Sequence, residues 1–372
     1  MTIKGPIDGT LVLDLTRHYP GPLTTRLLAE LGARVIKVEE KGKIDPVRIL
    51  PPADRDLVPA DEALNAGKES LVLDLSAPAD FHLLEQLVRR ADVLIEPFRP
   101  GYLDHKGIGY SWACALNPQL IWVSLTGYGQ DGPMSQEPGH DINFAAMSGI
   151  LALNGTGNGD VMPLPIQVAD TAGGGYMAVI ATLAALCARQ KSNIGQQVDV
   201  SMVEGLLPLV SLQMAHQSLG DIHPGGHPLA GSLACYNVYP TGDGRHVALG
   251  ALEPKFWSRF CKAVAQEDWI SRQFDSDQAL LIDEVTDLIR RHGLDYWVGI
   301  GIHHHCCLTA VNRLCDLKSD PHLMARNALH LHNGVMTAAP PIRFSRTPCT
   351  TPSPTQEPGA DNIPIRQEFT ST

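Results

Sequence analysis

The sequence predicts an α/β fold class, with a parallel sheet in a larger domain and a smaller α+β domain beside it. Three observations carry this. Over the first 130 residues, short, nearly continuous runs of Val, Ile and Leu alternate with helix-like segments, as in a parallel sheet covered on both faces. Residues 141–220 read as mostly helical. A stretch rich in Gly, Pro and His, residues 221–231, then precedes a new unit that opens with a hairpin signal. The length of 372 residues suits two or three domains, at about 150 residues each. With 44% hydrophobic and 19% charged residues, the chain can bury a large core and is not of a disordered composition.

The elements follow in order. Residues 10–15 form a short buried-strand pattern. Pro20-Gly21-Pro22 opens a helix to about Leu31, and Gly32 is its natural stop. Strands are expected at 34–38, 70–75, 92–96 and 120–125, with helices between several of them. A Rossmann-like sheet of this kind sets ligand sites at the carboxyl ends of its strands. Residues 168–188 read as a long apolar helix with the small-residue start Ala172-Gly173-Gly174-Gly175. Residues 198–219 read as a second, apolar nearly all round and therefore buried against another element. In the smaller unit, apolar runs at 236–239 and 246–249 flank Asp243-Gly244, a strong hairpin signal, and helices follow to about residue 302. The tail after Thr347 is rich in Pro, Thr and Ser and is expected on the surface. These signals divide the chain into a discontinuous large domain (1–200 and 335–372), a helical linker (201–231), a small domain (232–325) and a return linker (326–334).

Charge narrows the function. Lys and Arg total 29 against 40 Asp and Glu, a net of −11, which argues against a nucleic-acid binder. No apolar run reaches the length of a membrane span, about 18 residues. The first residues, Met1-Thr2-Ile3-Lys4-Gly5, lack the apolar stretch of a secretion signal. Eight cysteines are scattered without a CxxC pair, as reduced thiols in a cytoplasmic enzyme would be, or in one of an organellar matrix.

Several motifs carry an ordinary reading and a sharper one. Gly127-Tyr128-Gly129-Gln130-Asp131-Gly132 satisfies GxGxxG after a strand, but Pro133 follows and no helix opens, so a nicotinamide site is disfavoured. The glycines instead let a loop pass close to a ligand or to neighbouring backbone. His303-His304-His305-Cys306-Cys307 suggests a metal, yet adjacent residues cannot all face one ion; a loop entering a strand is the preferred reading, and no metal is expected. Asp199 and Glu204, read on one helix, receive no chemistry. Gly139-His140-Asp141 opens a helix whose exposed N–H groups can hold an oxyanion, with Asp141 able to cap it. Asp170 starts a Gly-rich helix, as a cap or as a carboxylate beside an approaching ligand. Glu253 precedes Pro254 at another helix start.

Together these segments resemble the family III CoA-transferase superfamily, and within it the α-methylacyl-CoA racemases. The resemblance runs through Pro20-Gly21-Pro22, residues 28–39 and 67–75, Phe98-Arg99-Pro100-Gly101, Thr126 to Pro133, Asp199 to Gly205 and Asp320-Pro321-His322. Asp170 matches the carboxylate shared by both branches, a nucleophile in transferases and a base in racemases. His140 and Glu253 match the histidine of the racemases and the glutamate that partners it. The chain departs from the family at Glu39-Glu40-Lys41-Gly42, where Arg-Pro usually precedes the glycine, and between residues 297 and 307. Lys41, Lys43 or Arg48 would then stand in for the missing arginine.

The resemblance implies an acyl-CoA thioester as substrate, with CoA part of the substrate and no separate cofactor. It implies an interlocked homodimer in which Glu253 comes from the small domain of the partner chain. His140 and Asp170 would be two bases on opposite faces of the α-carbon, with Glu253 setting the His tautomer. Residues 1–110 carry 14 Lys and Arg against 17 Asp and Glu, a net of −3. The CoA polyanion would therefore be held by individual residues: Lys37, Lys68 and Arg99, with Asp141 and Gly129 also at the substrate. The other branch implies a CoA-transferase in which Asp170 carries CoA covalently.

Overall fold

The computed structural model describes residues 5–53, 58–155, 160–220, 222–332 and 334–370. The segment before Gly5, Asp221 of the linker, Asn333 of the return linker and the last two residues lie outside them. The chain divides into two compact units, one of Met1–Ser148, Leu164–Leu209 and Pro321–Thr372, the other of Gly149–Pro163 and Val210–Asp320.

The first unit opens β1 (Leu11–Asp14), α1 (Pro20–Glu30), β2 (Arg34–Glu40), α2 (Pro59–Asn65), β3 (Glu69–Leu73), α3 (Pro78–Arg90) and β4 (Val93–Glu96). It continues through α4 (Tyr102–His105), α5 (Tyr110–Leu116), β5 (Ile121–Thr126) and α6 (Asp141–Met147). A π-helix (Ala169–Tyr176) leads into α7 (Met177–Ser192), then β6 (Gln196–Ser201) and α8 (Met202–Leu206). The strands form one sheet in the order β3-β2-β1-β4-β5-β6. Every neighbouring pair is parallel. The direction of winding reverses between β1 and β4, and ligands of such sheets bind above the carboxyl ends at that reversal. Leu13, Ile36, Leu71, Leu94 and Trp122 of the sheet are buried against Leu83 and Leu87 of α3. Burial of such side chains contributes about 1.5–3 kcal/mol each.

Strand β6 corrects one expectation. Val198 to Ser201 belong to this edge strand, paired with β5 from Ile121↔Gln196 to Thr126↔Ser201, and not to a helix. An edge strand is covered on fewer sides, so its sequence, Gln-Gln-Val-Asp-Val-Ser, need not be continuously apolar. Asp199 is accordingly a strand residue whose carboxylate accepts from the Gln130 N–H at 2.9 Å, while Glu204 lies on α8. The expected helix after it is broken near Pro208, and Leu209, Leu212, Met214 and Leu219 are exposed.

The stretch Ala169–Ser192 is long and apolar enough to cross a membrane by length and composition, a test that the core helices of globular proteins also pass. Its start is tightly packed within the unit. A Cβ at Gly173 would stand 2.4 Å from the Met202 carbonyl, and one at Gly175 would stand 2.9 Å from Leu23. These glycines admit α8 and α1; they do not make room for a ligand.

The second unit contains α9 (Ser211–His216), β7 (Tyr236–Pro240), β8 (His246–Gly250), α10 (Pro254–Ala263), α11 (Gln278–Ile289), α12 (Leu294–His304) and β9 (Leu308–Ala310). The hairpin β7–β8 and strand β9 make a three-stranded antiparallel sheet over a core of Trp257, Phe260, Val285 and Trp297. The histidine-cysteine run is the end of α12 and a tight turn into β9, with positive φ at His305 and Cys307.

The chain then returns to the first unit through α13 (Pro321–Ala325), the hairpin β10 (Leu329–His332) and β11 (Val335–Ala338), and α14 (Asn362–Thr370). The tail is not merely superficial. Ile365 and Phe369 of α14 are buried in the core under β3 and α3, and the Gly67 N–H donates to the Ser353 carbonyl at 2.8 Å. Two apolar residues four apart suffice for this, and the surrounding Pro and Thr hide them from a composition-based reading.

Candidate active site

His140, Asp141 and Asp170 all belong to the first unit. His140 is the extended N-cap residue of α6, with its side chain exposed. Its N–H donates to Asn143 Oδ1 at 3.0 Å, and the Asn143 N–H donates to the His140 carbonyl at 2.8 Å. This reciprocal cap sets where the imidazole leaves the chain. The first-turn N–H groups of Asp141 and Ile142 have no partner within the helix, and can meet a developing oxyanion. The loop before His140 is pressed on the same helix: a Cβ at Gly127 would stand 2.2 Å from the Phe144 ring, and one at Gly139 would stand 2.6 Å from it.

Asp141 does not cap its own helix. Its Oδ1 accepts from the N–H groups of Ala169 (2.7 Å) and Asp170 (3.0 Å). One carboxylate therefore ties the helix start that carries His140 to the π-helix that carries Asp170. Such π-helical turns recur at functional sites. Burial, with the like charge of Asp141 added, raises the Asp170 carboxyl from 3.8 to about 7. Tyr19 stands in the same surroundings; burial and the nearby Tyr176, Asp170 and Asp141 raise its hydroxyl, so it stays protonated.

A cleft opens where the sheet reverses, lined by Arg17 after β1, Lys43 after β2, Phe98 after β4, and Tyr102 and Lys106 from α4 and its end. Phe98 and Tyr102 stack with centroids 4.8 Å apart. The Arg17 guanidinium lies 5.3 Å from the Phe98 ring centre, and the Lys106 ammonium lies 5.4 Å from that of Tyr102. Aromatic platforms with cations at the rim suit a flat heterocycle bearing phosphates, and Glu39, Glu40 and Asp45 line the same cleft.

Two expected polyanion ligands are corrected. Lys37 pairs with Asp45 at 2.7 Å and donates to the Thr16 carbonyl at 2.8 Å, with its side chain only 1% exposed. The Lys68 ammonium meets Asp14 (3.0 Å), Asn65 Oδ1 (2.8 Å) and the Pro22 carbonyl (3.0 Å), so all three of its donors are used inside the protein. Burial opposes both charges of the Lys68–Asp14 pair. Burial draws Lys68 down to about 8 even so, whereas the ammonium groups of Lys68 and Lys37 overcome it at Asp14 and hold that carboxyl at about 2. Lys37 lies on a strand of the covered sheet and Lys68 just before one; side chains pointing inward there are buried whatever their charge, which the sequence alone does not reveal.

Arg99 is exposed and lines a separate small polar recess with Glu96 and Ser124. Gly129 is buried, donates to Thr126 Oγ1 at 3.1 Å and faces Asp199 and Ser201, which corrects its assignment to the substrate. Of the three stand-ins for the missing arginine, Lys41 pairs with Asp74, Arg48 with Glu39 and Asp61, and Lys43 with Glu40 at 2.8 Å; Lys43 also lines the cleft. Arg17, Phe98 and Lys106 were not singled out for this role by the sequence. Only Arg17 carried a usable signal, its position just past the first strand. Glu253 lies exposed in the second unit at the N-cap of α10.

Known proteins agree with this architecture. The family model for CoA-transferase family III matches residues 7–362. The chain is similar to the human alpha-methylacyl-CoA racemase, 36% identical over 275 residues, covering 73% of this chain and 68% of that protein. It is similar to the mouse alpha-methylacyl-CoA racemase at 31%, over 98% and 93% of the two chains. The acetyl-CoA:oxalate CoA-transferase of Acetobacter aceti is as near, 32% identical over 98% and 96%. A crystal structure of a CaiB/BaiF family protein from Brucella suis superposes with a TM-score of 0.86 at 26% identity, over 98% of this chain and all of that one. On this match of sequence and fold along nearly its whole length, the chain belongs to CoA-transferase family III.

Proposed function

We propose that the chain is a 2-methylacyl-CoA racemase, interconverting the (2R) and (2S) thioesters by proton transfer at the α-carbon. The observation that carries this reading is the Asp170 carboxyl, held near neutrality by burial and by Asp141, which also ties it to the helix of His140. A neutral carboxylic acid can donate a proton at physiological pH where an ordinary aspartate cannot.

In one direction neutral His140 removes the α-proton and becomes imidazolium. The electron pair of the broken C–H bond passes into an enolate, whose oxygen meets the N–H groups at the start of α6. Asp170 then delivers its proton to the opposite face and is left as carboxylate. The two groups have exchanged protonation states, which is the starting state for the reverse direction. CoA enters as part of the substrate, its nucleotide in the cleft of Arg17, Phe98 and Lys106, and no other cofactor takes part. Glu253 of a second copy of the chain steadies the imidazolium in a homodimer.

The alternative, a CoA-transferase with a covalent Asp170 intermediate, is favoured by the transferase from Acetobacter aceti, which is as similar as the racemases. Against it stand His140 and Glu253, which match the histidine and the glutamate of the racemase branch. Incubation with a 2-methylacyl-CoA in deuterated water separates the two. The racemase incorporates deuterium at the α-carbon with no acceptor acid, and His140→Ala and Asp170→Asn each abolish it. The transferase yields an acyl-enzyme trapped by hydroxylamine and needs a free acid. Deuterium uptake undiminished in both variants would overturn the two-base scheme.

A further inference from the structure

The first unit brings a second imidazole beside His140. His18 lies in the connection from β1 to α1, just past the carboxyl end of the strand. Its φ is 68°, a left-handed conformation uncommon for residues with a side chain, and hydrogen bonds hold the loop there. The His18 N–H donates to Asp45 Oδ1 at 3.1 Å. Asp45 is itself held by the Val47 N–H at 3.1 Å and by the buried Lys37 ammonium at 2.7 Å. The outcome is a ring edge-on to that of His140, with centroids 6.4 Å apart and planes at 78°. The lysine expected at the polyanion thus acts two steps away, by fixing the loop that aims His18.

The charged and titratable groups that face His18 are Asp45, Arg17, His140 and Lys37. Burial lowers the His18 imidazole from its ordinary value; Asp45 opposes this, while Arg17, His140 and Lys37 add to it. The net effect favours the uncharged His18 ring.

We propose that His18 is a positioning residue for His140, its ring packed edge-on so that the His140 imidazole keeps the orientation proton transfer requires. The inference rests on the two-base reading, and it assigns His18 no contact with the reacting atoms.

The test uses the full chain with substitutions H18A, H18L and H18F, read by α-proton exchange and by the NMR shifts of the His140 ring. H18A is expected to lower kcat by about 10- to 100-fold with KM within about threefold, because orientation is lost and binding is not. It should also move the His140 ring resonances, because the edge-on ring beside them is gone. H18F restores a flat ring edge and should recover most of the loss. A purely structural role would lower the melting temperature without splitting kcat from KM. If H18A does not fold, H18L, which fills the space without a ring, takes its place. Unchanged kcat, or unmoved His140 resonances, in the variant without a ring overturns the inference. The NMR arm needs no turnover, so absence of exchange in the unsubstituted protein would sink the functional reading and leave this one answerable.

Discussion

Replacing Asp170 by asparagine should stabilise the protein at neutral and alkaline pH while abolishing exchange. The carboxyl titrates at about 7 in the folded chain against 3.8 as its ordinary value, a difference of about three units (7 − 3.8). Between those values the folded state holds a proton that the unfolded state has released. Unfolding stability attributable to this group therefore falls as pH rises through the window, and is flat above it, where both states are ionised. At about 1.4 kcal/mol per unit the full loss would be about 4 kcal/mol. Asp170 is only partly buried, and solvent screening reduces the expected loss to about 2 kcal/mol. Asparagine has nearly the same shape and cannot ionise, so it escapes the loss. Urea unfolding of both proteins from about pH 4.5 to about pH 8.5 reads the difference directly. The two stabilities should converge at the acid end and separate by about 2 kcal/mol at the alkaline end, with the variant the more stable. Parallel curves across the range would show that Asp170 is not held neutral, and the assignment of a proton donor would go with it.

Other expectations follow from the same contacts. Asp141→Asn keeps an oxygen for the Ala169 and Asp170 N–H groups but removes the like charge; the exchange limb assigned to Asp170 should move down by about one pH unit. Lys68→Met leaves the Asp14 carboxylate buried without its ammonium and should cost about 3–5 kcal/mol in urea unfolding, with KM for acyl-CoA unchanged in the folded protein. Arg17→Ala and Lys106→Ala should each weaken CoA binding about tenfold by calorimetry and flatten its salt dependence, whereas Lys37→Met should act on stability. Equal losses of affinity in the Lys37 and Arg17 variants would contradict the division between internal and cleft-lining cations.

Much of the fold was legible because parallel strands buried on both faces must be apolar almost throughout. The runs before Asp14, Glu40, Leu73, Glu96 and Thr126 announce five strands in this way. The sixth, Gln196–Ser201, sits at the edge and lost that signature, so its residues merged with the apolar stretch that follows. Helix α14 was equally silent, since only Ile365 and Phe369 mark its buried side. In the candidate site, His140 and Asp170 were singled out by their place at helix starts and by family resemblance. That one Asp141 oxygen joins the two helix starts had no counterpart in spacing, because the partners are backbone N–H groups 28 and 29 residues away.

By itself, the sequence determined the alternation of strand and helix, the acidic balance, and the identity of the groups able to move a proton. These follow from local pattern and side-chain chemistry, which are written residue by residue. The tertiary structure alone decided which charges meet solvent and which meet each other. Lys37 and Lys68 were turned inward onto Asp45 and Asp14, while Arg17 and Lys106 were left facing the cleft. It also set the acidity of Asp170 and brought His18 to the edge of His140. Burial and charge act through space, between residues that the chain order keeps far apart, and only folding fixes those distances.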